Sequence, residues 1–481
     1  MKKILLPLAI LISFLGNLSY SQSLTWAKTM GAAANESGQS TAIDAAGNVY
    51  VTGYFQTTVD FDPGVGTFNL TSQGGYDFFI QKLDPNGNFI WAQSYGGLNH
   101  DYAYHIMLSP SGDVIVSGTF NNTVDFDFGP GTYTLTASGG LFLLRVSNSG
   151  NFKWARGYGL SDQYGTNPLF VDKIGNVYSG AWNTGYDFDP GPGTYTVPVG
   201  SSVFKLDSAG TFCWAKGIST PAGGAPLTHV VADNSGNVII AGMYQAAPTD
   251  LDPGPGTNTV TCYGYGDYYI VKLDCNGNYI WANSYGSPER DGVTDLAVSQ
   301  TDDIYFGSYI NAGCATIDLD AGPGIYNYTG CGGYIVKLGP SGNFQWANTN
   351  VNIPYKINIV NNTIQWLVNY SAGSQFLNLY NSNTGSLQQS IFLNGPIVNS
   401  ISSKTNSIVY MAGAFNNTTN IAPGTNTYNV ISNGNYDVFV SKISVCDMSV
   451  PSTTVPLCLG IPQVLNVSGL GSYTWQPGGF N

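Results

Sequence analysis

The chain has 481 residues, and its 16 Lys and Arg against 29 Asp and Glu give a formal net charge of −13. An acidic surface repels the phosphate groups of nucleic acids, so we do not expect nucleic acid to be a partner. Charged residues make up only 9% of the chain, whereas apolar residues reach 43% and aromatic residues 13%, a composition that excludes an intrinsically disordered protein.

The N-terminal segment has the pattern of a secretory signal peptide. A charged start, Met1 to Lys3, precedes an apolar run at 4–15 and small residues up to Ser21. We therefore expect residues 1–21 to be a signal peptide, cleaved after Ser21, and the protein to be secreted or held at the cell surface. The apolar run is too short for a membrane span, so we expect no transmembrane segment in the mature chain.

A repeated Trp-Ala pair divides the chain into units of similar length. The spacings between successive pairs are 65, 63, 60, 67 and 65 residues. Repeats of this kind indicate one structural unit per repeat, and the units lack helical periodicity. The tryptophans are Trp26, Trp91, Trp154, Trp214, Trp281 and Trp346.

The first unit predicts four antiparallel strands, A to D, which form one propeller blade. Strand A is predicted at 40–44, strand B at 49–55 and strand C at 76–83. Strand D, at 88–95, carries the next Trp. Gly-containing turns separate A from B and C from D, because Gly accepts the positive φ that tight turns require. The B–C connection is predicted as a polar loop of about twenty residues.

Counting the units predicts an all-β fold, a seven-bladed β-propeller of four-stranded antiparallel blades. Seven A–B hairpins occur, the first at Gly47 and the last at Thr405, and seven C strands follow them. The mature chain begins on a D strand and the repeats end on a C strand, so we expect the N-terminal strand to complete the last blade and protect its edge. The propeller is predicted to span residues 22–445. The tryptophans are expected to pack between blades, with a surface aromatic ladder as the alternative.

These motifs resemble a known family. The segments GNVYVTGYF (47–55), VDFDPG (59–64) and DFFIQKLDPNGNF (77–89) look like the SBBP (seven-bladed β-propeller) repeat of secreted bacterial proteins. The resemblance covers about residues 24–444, although the sixth unit lacks the Asp-Phe-Asp-Pro-Gly segment and the seventh has Asn420-Ile421-Ala422-Pro423-Gly424 instead. The resemblance implies a propeller in an extracellular setting, but it does not imply a particular activity, because the family is not tied to one.

The C-terminal segment 446–481 differs from the repeats. PLCLG (456–460), QVLNV (463–467) and GSYTWQPGG (471–479) are similar to the opening strands of bacterial immunoglobulin-like surface modules. Two or three strands are present where a sandwich needs about seven. We therefore expect a partial immunoglobulin-like β module that is truncated.

Seven cysteines are present, and an exported chain permits disulfides. Proximity in sequence favours Cys314 with Cys331, Cys262 with Cys275, and Cys446 with Cys458. Connectivity stays open, because spacing alone does not determine it, and an odd count leaves one cysteine free.

Five of the predicted B–C loops contain Asp-x-Asp, and two interpretations compete. Calcium prefers several oxygen ligands, which paired carboxylates and a Gly-rich backbone supply. Alternatively, the Asp side chains bond nearby backbone amides in Asx-turns. The candidate calcium ligands are Asp60, Asp62, Asp125, Asp127, Asp187, Asp189, Asp250, Asp252, Asp318 and Asp320.

The D–A and B–C loops are predicted to emerge on one face, because strands A and C run in the same direction. The D–A loops add further acidic residues to that face, at Glu36, Asp101, Asp162 and Asp291. A separate set in Asp-x-x-Gly segments is predicted to close hairpins. That set is Asp44, Asp84, Asp172, Asp207, Asp233 and Asp274.

Signatures of catalysis are few. The three histidines, His100, His105 and His229, do not have metal-ligand spacing, and His229, at the start of an A strand, is expected to approach the central channel. No catalytic Ser or metalloprotease motif is present. The Tyr-rich stretch is predicted either to contact sugars or proteins or to fill strands. It comprises Tyr263, Tyr265, Tyr268, Tyr269 and Tyr285.

These features favour a non-enzymatic binding, adhesion or display module at the cell surface. The expected ligand is a protein or a glycan, the expected state is a monomer, and calcium is the one candidate cofactor. Two alternatives stay open: a glycan-active hydrolase or lyase that uses the acidic residues of the loop face, and a structural spacer that displays another domain.

Overall fold

The computed structural model describes residues 22–159, 168–183, 185–218, 227–245, 248–369, 375–393 and 395–445. Within these ranges the chain forms strands and turns without any helix, and seven four-stranded antiparallel sheets contain most of the strands. The predicted seven-bladed β-propeller is therefore confirmed. The predicted signal peptide (1–21) and the predicted immunoglobulin-like module (446–481) lie outside the described residues.

The strands of each blade follow one another in the order A, B, C, D from the axis outward, and blade 7 is completed by the first strand, β1 (Ser23–Met30). Blade 1 comprises β2 (Ser37–Ile43), β3 (Val49–Phe55), the small ribbon β4 (Thr58–Asp60) and β5 (Asn69–Thr71), β6 (Asp77–Leu83) and β7 (Phe89–Tyr95). Blade 2 comprises β8 (Tyr102–Leu108), β9 (Val114–Asp125), β10 (Thr134–Val146) and β11 (Phe152–Tyr158). Blade 3 comprises β12 (Leu169–Val171), β13 (Val177–Asn183), β14 (Gly200–Leu206) and β15 (Phe212–Ile218).

The remaining blades repeat the same arrangement. Blade 4 comprises β16 (Leu227–Ala232), β17 (Val238–Tyr244), the ribbon β18 (Thr249–Asp250) and β19 (Thr259–Val260), β20 (Asp267–Leu273) and β21 (Tyr279–Tyr285). Blade 5 comprises β22 (Asp291–Val298), β23 (Ile304–Asp318), β24 (Asn327–Leu338) and β25 (Phe344–Val351). Blade 6 comprises β26 (Pro354–Val360), β27 (Thr363–Asn369), β28 (Gln375–Asn381) and β29 (Leu387–Leu393), and blade 7 comprises β30 (Ile397–Thr405), β31 (Ile408–Asn420) and β32 (Asn429–Ser444) with β1.

The ring closes through β1, as the repeat pattern predicts. β1 pairs antiparallel with β32, with Thr29 opposite Phe439 and Met30 opposite Val438. The outer edge of β32 is thereby hydrogen-bonded, and the two ends of the propeller domain are joined in one sheet. We call the side bearing the D–A connections the loop face, and the side bearing the A–B and C–D hairpins the turn face.

The hydrophobic core lies between successive blades. Phe78 of β6 stacks on Tyr95 of its own blade at 5.0 Å and on Phe142 of blade 2 at 4.5 Å. All three side chains are buried. Burying one such side chain contributes about 1.5–3 kcal/mol, so each pair of blades is held mainly by apolar packing.

The D-strand tryptophans also lie between blades, as predicted. The indole N–H of Trp91 donates to the carbonyl of Asn148, which lies in the C–D hairpin of the next blade. The same bond to the following blade recurs at Trp26, Trp154, Trp214 and Trp346. These five indoles therefore both pack against and hydrogen-bond the neighbouring blade, whereas the buried indole N–H of Trp281 has no hydrogen-bond partner among the described residues.

One predicted disulfide is confirmed and one is wrong. Cys314 of β23 and Cys331 of β24 form a disulfide between these two paired strands. Cys262 and Cys275 are both free. Cys262 precedes β20 and Cys275 follows it. Because a strand rises about 3.3 Å per residue, the two cysteines lie beyond opposite ends of β20 and are too far apart to bond. The pair Cys446 and Cys458 lies outside the described residues.

No helix among the described residues has the length and apolar character that crossing a membrane requires.

Candidate functional site

The Asp-x-Asp loops use their carboxylates to hold the backbone. Oδ1 of Asp60 accepts hydrogen bonds from the N–H groups of Asp62 (3.0 Å) and Phe68 (2.7 Å), and Oδ1 of Asp62 accepts one from Gly64. The first Asp makes the same two bonds in the other four loops, at Asp125, Asp187, Asp250 and Asp318. The second Asp closes the same turn at Asp127, Asp189, Asp252 and Asp320.

Blade 7 shows that a neutral oxygen is sufficient for this role. Asn420 stands in place of the first Asp, and its Oδ1 accepts hydrogen bonds from the N–H groups of Ala422 and Tyr428. The loop geometry thus needs an oxygen acceptor and does not need a negative charge. Among the described residues, no three His, Cys, Asp or Glu side chains are grouped so that they could hold a metal ion.

The expectation that these loops share the acidic loop face is wrong. Phe68 packs on Phe89 at 4.9 Å and Tyr133 packs on Phe152 at 5.0 Å. Phe89 and Phe152 are the first residues of D strands, which begin at the turn face. The Asp-x-Asp loops of blades 1, 2, 3 and 5 therefore fold back along the outer wall of the blade, because an aromatic residue of each loop packs against the D strand. In blade 4 the amide of Asn258 instead donates a hydrogen bond to the hydroxyl of Tyr279 in the D strand.

The acidic residues that do lie at the loop face form buried pairs between blades. Asp77 opens the C strand of blade 1, and Asp101 lies at the start of blade 2. Burial raises the pKa of Asp77 to about 7, and the neighbouring carboxylate of Asp101 adds to this rise. Burial also raises the pKa of Asp101 to about 6, although the N–H groups of Asn121 and Gly97 oppose it.

Two further junctions repeat this pairing. Glu36 faces Asp437 across the closure of the ring, and burial raises the pKa of Glu36 to about 7. Asp291 faces Asp267 between blades 4 and 5, and burial raises its pKa to about 6. These acids receive backbone N–H donors, for example from Ala32 to Glu36, so they brace the D–A connections. Asp162 lies outside the described residues.

The central channel is lined by the seven A strands and contains a cavity of about 480 Å³. His105 and His229 lie in its wall, so the expected approach of His229 to the channel is confirmed. Nε2 of His229 is 3.4 Å from Oδ1 of Asp295. Burial lowers the pKa of His229 to about 4 despite that carboxylate, so the imidazole is neutral at neutral pH and the contact is no ion pair there.

The most distinctive group on the loop face is an aromatic cluster that spans blades 1 and 2. We define the tyrosine cluster as Tyr54, Tyr76, His100, Tyr102 and Tyr104. The ring of Tyr54 lies edge-on to Tyr76 at 5.1 Å and to Tyr102 at 5.2 Å. His100 is exposed, and the four tyrosines are partly exposed.

A polar cavity of about 360 Å³ adjoins the tyrosine cluster at the junction of blades 7 and 1. We call it the loop-face cavity. Its aromatic wall consists of Tyr54, Tyr76 and Tyr436, and it therefore shares two residues with the cluster. The amides of Asn35, Gln39 and Asn399 and the carboxyl of Glu36 also line it.

The tyrosines selected from the sequence do not belong to this cluster. Tyr268, Tyr269 and Tyr285 are buried and fill strands, whereas Tyr263 and Tyr265 are 72% and 78% exposed. The cluster that does form was missed because its members come from two different strands, β3 and β8, and from two connections. A weak signal existed in the spacing of Tyr102 and Tyr104, since side chains two residues apart in a strand share one face.

Comparisons with known proteins find only limited similarity. No family model matches the chain. The uncharacterized WD repeat-containing protein L264 of Acanthamoeba polyphaga mimivirus is 26% identical over 120 residues, which are 22% of this chain and 9% of the viral protein. The chain thus matches only a small part of the length of this curated relative.

Three solved structures have similar architecture. The WD40 β-propeller domain of Doa1 has a TM-score of 0.44 and 12% identity, with 87% of this chain and 97% of that chain covered. BamB from Moraxella catarrhalis has a TM-score of 0.37 and 11% identity, with 83% and 95% covered. The PQQ-bound aldose sugar dehydrogenase from Streptomyces coelicolor has a TM-score of 0.37 and 10% identity, with 88% and 98% covered. At such identities the likeness concerns the fold alone.

Proposed function

We propose that this propeller is an exported binding module that uses its loop face to attach to a protein or a glycan at a cell surface. The observation that carries the proposal is the tyrosine cluster beside the loop-face cavity. Partly exposed aromatic side chains with polar neighbours are typical of recognition surfaces, because they supply contact area at low cost in conformational entropy. The N-terminal pattern of residues 1–21 and the resemblance to the SBBP repeat support export.

The arrangement of the acidic residues favours binding over catalysis. The loop-face carboxyls are buried between blades and accept backbone N–H donors, as Asp101 does from Gly97 and Asn121. The Asp-x-Asp carboxylates close turns on the outer wall. A pair of catalytic carboxyls must flank an accessible bond, so we propose that the protein is not a glycosidase. Release of reducing ends from polysaccharides by the wild-type protein would overturn this part of the proposal.

A binding survey tests the proposed function. The exported chain is labelled and applied to a glycan array and to an array of purified secreted and cell-surface proteins. We expect saturable binding to at least one class of ligand, and weaker binding by a Tyr76→Ala, Tyr102→Ala double variant. Absence of saturable binding on both arrays would contradict the proposal and favour a spacer that displays the segment 446–481.

Export is tested separately. Expression with the intact N-terminus in a bacterial host is expected to yield an extracytoplasmic protein whose first residue is Gln22. N-terminal sequencing of the recovered protein checks the position of cleavage. An uncleaved chain that stays in the cytoplasm would contradict the secretory assignment.

A further inference from the structure

We propose that the loop-face cavity binds a neutral saccharide, with the tyrosine cluster extending the site for further sugar units. This inference rests on the proposed function and assigns its ligand class. The cavity opens between the A strands of blades 7 and 1, where Asn399 of β30 donates a hydrogen bond to the carbonyl of Gly38 at 2.9 Å. It is therefore built by residues that adjoin only because β1 closes the ring.

The aromatic wall supplies the apolar half of sugar recognition. One face of a pyranose ring presents C–H groups, which pack against the face of an aromatic ring. Tyr436 is exposed at one side of the cavity, and Tyr54 and Tyr76 stand at the other. From Tyr76 the aromatic surface continues to Tyr102, at 5.7 Å between ring centroids, so a chain of several sugars has a continuous path from blade 1 to blade 2.

The amide side chains supply the polar half. The nitrogens of Asn35 and Gln39 already donate, to the hydroxyl of Tyr76 at 3.3 Å and to the hydroxyl of Ser37 at 2.8 Å. These bonds fix the orientation of the amides. The amide oxygens of Asn35, Gln39 and Asn399 accept no hydrogen bond from any described residue, and sugar hydroxyls are donors that match them.

The charge of the cavity selects neutral over acidic sugars. Among the described residues that line it, none is Lys or Arg, and Glu36 is the one ionisable acid. A uronate or sialate would place a carboxylate in this partly desolvated site without a compensating cation, which is unfavourable whether or not Glu36 is ionised. A neutral hexose or pentose unit carries no such penalty.

Calorimetric titration of the full exported chain tests the inference. The probes are neutral hexasaccharides of glucose, mannose, xylose and galactose, a released high-mannose N-glycan, and acidic hexasaccharides of galacturonate and mannuronate. Comparing the free hexasaccharides with the N-glycan separates a polysaccharide source from a glycoprotein source. We expect binding of at least one neutral probe and none of the acidic probes at the same concentration.

Variants locate the site. Tyr76→Ala is expected to weaken binding of the neutral probe by about tenfold or more, and Asn35→Ala by a smaller factor. Tyr76→Phe keeps the ring and is expected to retain most of the affinity. The matched control is Tyr263→Ala, since Tyr263 is 72% exposed on another blade and only its backbone N–H bonds to Asp267. Melting curves of all variants check that each one is folded.

The outcomes separate this inference from the proposed function. If glycans bind but Tyr76→Ala behaves like Tyr263→Ala, the site assignment is overturned while the proposed binding function stands. Preference for the acidic probes overturns the neutral-ligand assignment. Binding to a protein ligand, with no saccharide bound, overturns the inference and leaves the broader proposal intact. Loss of neutral-sugar binding in folded Tyr76→Ala, with Tyr263→Ala unchanged, supports it.

Discussion

Glycine in the C–D hairpins serves both the turn and the neighbouring blade. Gly210 has φ of +75°, a left-handed conformation that L-residues adopt at a cost. An added Cβ at this position would lie 2.8 Å from the ring of Trp154, which belongs to the preceding blade. Gly112, in an A–B hairpin, has a similar φ of +80°, but a Cβ added there would meet open space. Substitutions at these two glycines can therefore distinguish the cost of backbone strain from the cost of disturbed interblade packing.

We predict that Gly210→Ala is more destabilising than Gly112→Ala. Both variants incur the left-handed backbone cost of about 1–2 kcal/mol. Gly210→Ala also crowds Trp154, and overpacking of this kind costs about 1–3 kcal/mol more. Urea denaturation of the two variants measures the difference in the free energy of unfolding. Equal losses would contradict the packing role of Gly210.

The pKa values of individual buried carboxyl groups are shifted in opposite directions. At Asp77 burial raises the pKa to about 7. At Asp44 burial acts in the same direction, but hydrogen bonds donated by Asn48 outweigh it and hold the pKa below its usual value. A raised pKa means that the folded state binds the proton more tightly, so stability falls as pH rises from the unfolded pKa to the folded one. A lowered pKa has the opposite effect.

We predict that Asp77→Asn stabilises the protein at pH 8 and has little effect near pH 4. At pH 8 the substitution removes a buried negative charge beside Asp101, a gain on the order of 1 kcal/mol. Melting temperatures measured between pH 4 and pH 8 should show the gap between variant and wild type opening up to about pH 7. Asp44→Asn is the control of opposite sign, since it should lower the melting temperature at pH 8. A gap that does not change with pH would refute the assignment for Asp77.

At the scale of elements, several blades contact the next one through a single hairpin carbonyl that accepts two hydrogen bonds. The carbonyl of Asn148 accepts from both the indole of Trp91 (3.2 Å) and the ammonium of Lys82 (3.0 Å). At the ring closure the carbonyl of Pro85 accepts in the same way from Trp26 and Lys442. The closing strand β1 supplies that Trp, so it contributes to an interblade contact as well as to the sheet of blade 7.

We predict that removing residues 22–30 greatly destabilises the propeller. The deletion exposes the edge of β32 and removes Met30 from the core, and burial of one such side chain alone contributes about 1.5–3 kcal/mol. Thermal unfolding of the truncated chain measures the loss. A synthetic peptide of residues 22–30 should restore part of it by pairing with β32. A truncated chain as stable as the wild type would contradict closure through β1.

At the scale of the whole molecule, the outer wall and the loop face have different tasks. The Asp-x-Asp loops brace the wall, whereas the tyrosine cluster and the amides of the loop-face cavity lie on the loop face. This separation places the repeated acids away from the proposed saccharide site. Any ion bound by these loops would therefore change the stability of the outer wall of the blades.

Calcium binding by the five loops stays a prediction, and it has a direct test. If calcium binds, melting in millimolar calcium should occur at a higher temperature than in chelator, by an amount equivalent to about 2.7 kcal/mol for each occupied loop when calcium exceeds its Kd a hundredfold. Asp60→Asn should reduce the shift while keeping the Asx-turn, as Asn420 does in blade 7. Superimposable melting curves with and without calcium would leave the turns as the role of these residues.

Much of the fold was predictable from the sequence because its determinants are local. Alternating strands and Gly hairpins depend on neighbours within a few residues, and a count of seven units with a displaced first strand sufficed to predict the ring and its closure. The Trp-Ala marker likewise indicated contacts between blades.

Only the tertiary structure decided where the connections go and which side chains meet. The Asp-x-Asp loops fold onto the outer wall because Phe68 and the equivalent tyrosines Tyr133, Tyr195 and Tyr326 pack against D strands there. Cys262 and Cys275 stay apart because a whole strand lies between them. The loop-face cavity joins Asn35 to Asn399, residues far apart in the chain, and such proximity follows from packing and ring closure, which no local pattern encodes.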